Sequence, residues 1–139
     1  MDLDECLKKG FIRKININTE LIKSLIEMSN INEQTVKTAL INEINISSYV
    51  SLVYESLREI LEAISISFGY KVTSHLCLGE LLKNLIEDFD FNEFDRIRYI
   101  RNSINYYGVK VDFEQGIEII KKIFNMKDNL FDKHLKDKV

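Results

Sequence analysis

From Ser47 to Phe68 apolar side chains recur at helical spacing, with Tyr49, Val53, Leu57, Ile60, Leu61, Ile64 and Phe68 on one face and Glu55, Arg58 and Glu62 on the other. A stripe of that width and length must be covered by other apolar faces, which predicts a central helix in a bundle. Nothing in the rest of the chain argues for a different class. Proline is absent and there are only 5 glycines, too few for the closely spaced turns of an all-β protein. The 139 residues are 45% hydrophobic and 29% charged, which suits one globular domain over 1–139 with a sizeable core. The expected fold is all-α, an antiparallel bundle of five or six helices with short connectors and no strand signal of consequence.

In chain order, Asp2 to Lys9 reads as a short helix stopped at Gly10, followed by an apolar connector at Phe11, Ile12, Ile15 and Ile17. Asn18 caps a helix with Leu21, Ile22, Leu25, Ile26 and Met28 on its face. Ser29-Asn30-Ile31-Asn32 offers an interruption, after which Asn32 caps a continuation through Val36, Ala39 and Leu40. Gly69 ends the central helix. Thr73 then caps a leucine-rich helix running toward Phe89, and Asp90-Phe91-Asn92 forms a turn in which Asn92 caps the next helix, closed by Gly108. Asp112 and Gln115 have capping-box spacing ahead of a last helix expected to fray beyond Phe131.

The segment from Arg98 to Gly108 is not explained by helix packing alone. At about 100° per residue, Phe94, Ile97, Ile100, Ile104 and Tyr107 share one side, and Arg101 stands at the edge of that stripe beside Arg98 and Asn105. An arginine aimed at a core margin needs an acceptor, because burying an unpaired guanidinium is strongly unfavourable. Glu59, flanked by the small residues Ser56 and Ala63 on the central helix, is the expected carboxylate partner; the other reading has Arg101 facing a phosphate. Tyr107 is expected to pack on the stripe. Tyr106 falls about 140° round the helix from Arg101, so the two are expected to converge only at a loosened helix end or through a second copy. Asn102 and Asn105 gain interest only from their place beside Arg101.

The net charge of −3 and sequence pI near 5.5 exclude a generally basic, nucleic-acid-coating surface, so any phosphate binding must be local. Cys6 and Cys77 stand far apart without CxxC spacing, and His75 and His134 are the only histidines. Neither a disulfide framework nor a zinc site is expected from that pattern, and no metal or cofactor. The acidic start lacks the features of a signal peptide and no apolar run approaches membrane-spanning length, which predicts a cytoplasmic chain in a reducing compartment with no membrane partner. His75, in the first turn of its helix, reads either as a turn-packing residue or as a general base with a pKa lowered by the helix dipole. His134 falls in the lysine-rich tail and is assigned no function.

Tyr54-Glu55-Ser56-Leu57-Arg58-Glu59 with Glu62-Ala63, then Gly69-Tyr70-Lys71 leading to Ser74-His75, then Arg101-Asn102 followed by Tyr106-Tyr107-Gly108, resembles the HEPN domain (higher eukaryotes and prokaryotes nucleotide-binding domain). The resemblance covers mainly 47–124, with 1–46 as added N-terminal helices. It implies a helical homodimer whose paired arginine motifs form a cleft that cuts RNA without metal or binds nucleotides and partner proteins, in toxin–antitoxin, nucleotidyltransferase-linked or antiviral systems. The family motif places an arginine and a polar residue four to six residues before a histidine. Arg101 and Asn102 match its first half, but Tyr106, Tyr107 and Gly108 occupy the histidine positions. A phenol with pKa near 10 moves protons poorly near neutral pH where imidazole, near 6.5, does so well, so the resemblance implies weak or lost nuclease activity. The expected binding residues are Arg98, Arg101, Asn102, Asn105 and Tyr106, with Arg101, Tyr106 and His75 as the candidates for chemistry. Other readings stay open: a non-catalytic partner of a minimal nucleotidyltransferase, or an active metal-independent ribonuclease using His75 or Tyr106.

Overall fold

The computed structural model describes residues 1–138. Its elements in order are α1 (Leu3–Lys8), β1 (Ile12–Lys14), α2 (Thr19–Lys37), α3 (Ile46–Ser67), β2 (Tyr70–Val72), α4 (His75–Leu85), α5 (Phe91–Tyr107) and α6 (Phe113–His134), with a closing 3₁₀ turn at Lys136–Lys138. The fold is an all-α bundle, as expected. The central periodic segment lies at its middle, with Val53, Tyr54, Leu57, Ile60, Leu61 and Ile64 buried and α2, α4, α5 and α6 packed against it. Full burial of such an aliphatic side chain contributes about 1.5–3 kcal/mol, which is why this helix organises the rest.

Local chemistry sets the ends. Asp2, Asn18 and Asp112 accept hydrogen bonds from Glu5, Leu21 and Gln115 amides respectively, and Gly108 closes α5 in the left-handed conformation at φ 67°. Two caps differ from expectation by one or two residues. Ser74, not Thr73, accepts the Cys77 amide at the start of α4, and Asp90, not Asn92, accepts the Glu93 amide at the start of α5. α4 stops at Leu85 rather than near Phe89.

Four further expectations are corrected. α2 runs unbroken through Ser29–Asn32 because Ser29 and Asn32 turn inward: the Ser29 hydroxyl donates to the Ser56 carbonyl at 2.6 Å, and the Asn32 amide donates to Glu59 Oε1 at 2.8 Å. A short antiparallel pair exists, with Ile12 opposite Val72, Arg13 opposite Lys71 and Lys14 opposite Tyr70. α6 continues to His134, held by buried Leu130 and Leu135 and by Asp88, which receives His134 at 3.0 Å and Lys133 at 3.4 Å. Cys6 and Cys77 form a disulfide that ties α1 to α4. Their 71-residue separation hid this, because sequence spacing carries no information on which helices pack together.

The packing of α4 on α5 is close. A Cβ at Gly79 would lie 2.9 Å from Cε2 of the buried Phe94 ring, so glycine lets these two helices approach. No helix among the described residues is long and apolar enough to cross a membrane.

Candidate anion-binding site

The first turn of α4 and the segment before it face the C-terminal half of α5 across a cavity of about 340 Å³, lined by Thr73, Ser74, His75 and Leu76 on one wall and Arg98, Arg101, Asn102 and Tyr106 on the other. Spacing of about three to four residues places Arg98, Arg101 and Asn102 on neighbouring faces of one helix. β2 and Gly69 turn the chain out of α3 so that Ser74 and His75 arrive opposite them.

Arg101 is the most enclosed of the charged lining groups, with a side chain only 12% exposed. Its guanidinium carbon stands 5.3 Å from the Tyr54 ring centroid and 5.7 Å from that of Tyr106. Nη2 donates to Glu55 Oε1 at 3.5 Å and Nη1 to Asn102 Oδ1 at 3.4 Å, both long bonds. Nε has no hydrogen-bond partner at all, the one buried side-chain polar atom in that state among the described residues. Leaving such a donor unpaired costs about 1–3 kcal/mol, so the site is incompletely satisfied as it stands.

Glu59 is not the partner of Arg101. It lies beneath α2, bonded to Asn32, where burial raises its carboxyl pKa above 4.5. α5 meets α3 one turn earlier, at Glu55. Glu55 also accepts Arg58 Nη2 at 2.8 Å, and Arg58 continues to Glu62, so a chain of charges runs along α3.

Arg98 is oriented by Asp95, which accepts from its Nη2 at 2.8 Å and its Nε at 3.1 Å. Asn105 stands apart from the cavity lining, because its Oδ1 accepts the Ser51 hydroxyl at 2.9 Å across to α3. Tyr106 lies against Arg101 on an intact helix without a loosened end, since the two long side chains span the angular gap between their Cα positions. Tyr107 does not pack: it is 81% exposed, because the last turn of α5 extends past its neighbours once Ile104 has made its contact with the core.

His75 closes the opposite wall. Its Nδ1 is 3.1 Å from the hydroxyl of fully buried Tyr54. Burial first, and then the charges of Arg101 and Arg58, hold the His75 pKa below 6.5, so the ring is neutral at physiological pH. Tyr54 and Glu55 were the site residues that sequence reasoning missed. Both belong to the Tyr54-to-Glu59 segment that carried the family resemblance, but Glu55 read as part of a solvated face. His134, Cys6 and Cys77 lie outside the cavity lining.

No family model, curated protein or solved structure matches this chain.

On geometry, this is a local basic pocket on an acidic chain. Two guanidinium groups and the polar groups of an α4 N-terminal turn converge on the cavity, no carboxylate lines it, and an exposed aromatic ring stands at its edge. Such a lining offers hydrogen-bond donors to an anion and no acid group to hold a cation.

Proposed function

We propose that the chain is a HEPN-like module that binds RNA or a nucleotide in the Arg101 cavity, acts as a homodimer, and serves a toxin–antitoxin or defence system with weak or lost nuclease activity. The observation that carries this reading is the convergence of the Arg98 and Arg101 side chains with Ser74, His75 and Asn102 on a cavity that no carboxylate lines, where a phosphate oxygen meets charged donors. Tyr106, 69% exposed beside the Arg101 guanidinium, offers a face on which a base stacks. Tyr99, Tyr107 and Val109, all more than half exposed on and just beyond the same helix, form the surface that a second copy covers.

Titration with adenosine monophosphate and with single-stranded RNA tests the reading. Binding by the native chain and its loss in Arg101→Ala support it, and equal binding by both removes it. Light scattering reads the dimer directly, and incubation with mixed RNA in EDTA reads any residual cleavage as 2′,3′-cyclic phosphate ends.

A second reading, the non-catalytic partner of a minimal nucleotidyltransferase, is favoured by Leu40 and Ile44, which are 85% and 94% exposed in the α2–α3 connector. It requires a stable complex with the enzyme encoded alongside, which co-purification tests.

A further inference from the structure

Tyr54 is buried to 0% exposure, and His75 Nδ1, 3.1 Å away, is the single hydrogen-bond partner of its hydroxyl among the described residues. A neutral imidazole carries its proton on one nitrogen only, which leaves two arrangements. With the proton on Nδ1, that nitrogen donates to the phenol oxygen, and the phenol hydrogen is left in the core with no acceptor. With the proton on Nε2, the phenol donates to Nδ1 and its hydrogen is satisfied. Among the described residues Nε2 makes no hydrogen bond and Arg101 Nε is the only buried side-chain polar atom without a partner, so Nε2 is not buried, and it belongs to a ring that lines the cavity. Within the Tyr54–His75 pair the second arrangement leaves no buried hydrogen unpaired and the first leaves one, a difference large enough to select the tautomer.

We infer that Tyr54 is a positioning residue that holds neutral His75 with its proton on Nε2, so that His75 presents a hydrogen-bond donor to an oxyanion in the cavity. This deepens the function proposed above and rests on it for the identity of the anion as a phosphate. The same tyrosine carries the Arg101 guanidinium over its ring face, so one fully buried side chain orients donors on both walls. A ring protonated on Nε2 has no lone pair facing the cavity. His75 thus acts as a neutral oxyanion donor and does not accept a proton from a ribose hydroxyl there. Burial, Arg101 and Arg58 all disfavour the imidazolium, which agrees with this assignment.

Nitrogen-15 spectra of the imidazole rings test the inference without reference to activity. The chain has only two histidines, so His75→Gln assigns the signals. The expected spectrum of the native chain shows His75 protonated on Nε2, and Tyr54→Phe, which keeps the ring and its stacking, shows a mixture of the two tautomers. Affinity for adenosine monophosphate is expected to fall roughly fivefold in Tyr54→Phe and about tenfold in His75→Ala, while His75→Gln, whose amide still donates, stays within about threefold of the native chain. A native His75 protonated on Nδ1 overturns the inference, and this reading needs no variant to fold. An unchanged tautomer in a folded Tyr54→Phe protein overturns the role given to Tyr54. The expected tautomer in a protein that binds neither the nucleotide nor RNA supports the Tyr54–His75 assignment and removes the phosphate function.

Discussion

Arg101 is clamped by aromatic rings more than by a counter-ion. Its nearest carboxylate, Glu55, is 3.5 Å away and about one-third exposed, the range in which a pair contributes roughly 0.2–1 kcal/mol. A double-mutant cycle in thermal unfolding with Arg101→Met and Glu55→Gln is therefore expected to give a coupling below about 1 kcal/mol, with Glu59→Gln additive to Arg101→Met. A coupling near 3 kcal/mol would instead make Arg101 mainly structural. His75 adds a pH signature. Its folded pKa lies below its unfolded 6.5, so the folded chain binds fewer protons in the acid window, and stability present above pH 6.5 is lost progressively as pH falls below it. Urea unfolding across that range should show the native chain losing stability relative to His75→Gln; parallel profiles contradict the placement. Arg101 was legible in the sequence because an always-charged residue at the margin of an apolar stripe needs an explanation. Its partner was not, since choosing between Glu55 and Glu59 depends on where α5 crosses α3 to within one turn. Tyr107 was misread for a related reason: periodicity gives the direction of a side chain and not whether a neighbour reaches that far.

Among the elements, α2, α3 and α6 share a polar layer that the hydrophobic pattern could not reveal. Lys127 of α6, only 4% exposed, reaches Glu33 of α2 at 2.8 Å and the Ser29 carbonyl at 3.3 Å. Burial acts to raise the Glu33 pKa, but hydrogen bonds from Lys127 and Lys37 outweigh it and hold the carboxyl below 4.5. The contribution of Glu33 is then complete above pH 4.5 and lost as pH falls through its lower folded value. Glu33→Gln strands the Lys127 ammonium and is expected to cost about 3 kcal/mol at neutral pH, with the deficit shrinking in acid; Glu33→Leu with Lys127→Met should be far milder. Chemical denaturation at pH 7 and pH 3 measures both. Helix number, the Asn18 and Asp112 caps and the Gly108 stop were legible because they follow local rules. Ser29 and Asn32 were misread because the same polar residues that break an exposed helix can be satisfied across a packed one. Gly79 gave no signal for the same reason, since its role lies in Phe94. Gly79→Ala is expected to destabilise by about 1–3 kcal/mol despite the better helix propensity of alanine, and a rise in Tm would contradict the close packing of the two walls.

For the whole molecule, the Cys6–Cys77 bond closes a loop of about 70 residues and joins the N-terminal helix to the one that begins with His75. By chain entropy such a crosslink contributes about 4 kcal/mol, so Cys6→Ser with Cys77→Ser, or a reductant, is expected to lower Tm by roughly 10 °C. An unchanged Tm contradicts that contribution. The expectation of a reducing compartment came from the cysteine spacing together with the lack of signal-peptide features in the acidic start, and a disulfide of this kind persists most readily in an oxidising one. All-α architecture was the most legible property because it follows from summed periodicity and the absence of proline, whereas the disulfide and the cavity arise from contacts between distant segments.

The central claim is that the Arg101 cavity holds a phosphate, and fluorescence anisotropy of a labelled single-stranded RNA across a range of salt concentrations tests it most directly. The expected result is that Arg101→Ala weakens binding by about tenfold while remaining folded, and that the slope of log affinity against log salt becomes shallower by roughly one phosphate contact. Identical affinity and slope in the native chain and Arg101→Ala would contradict it.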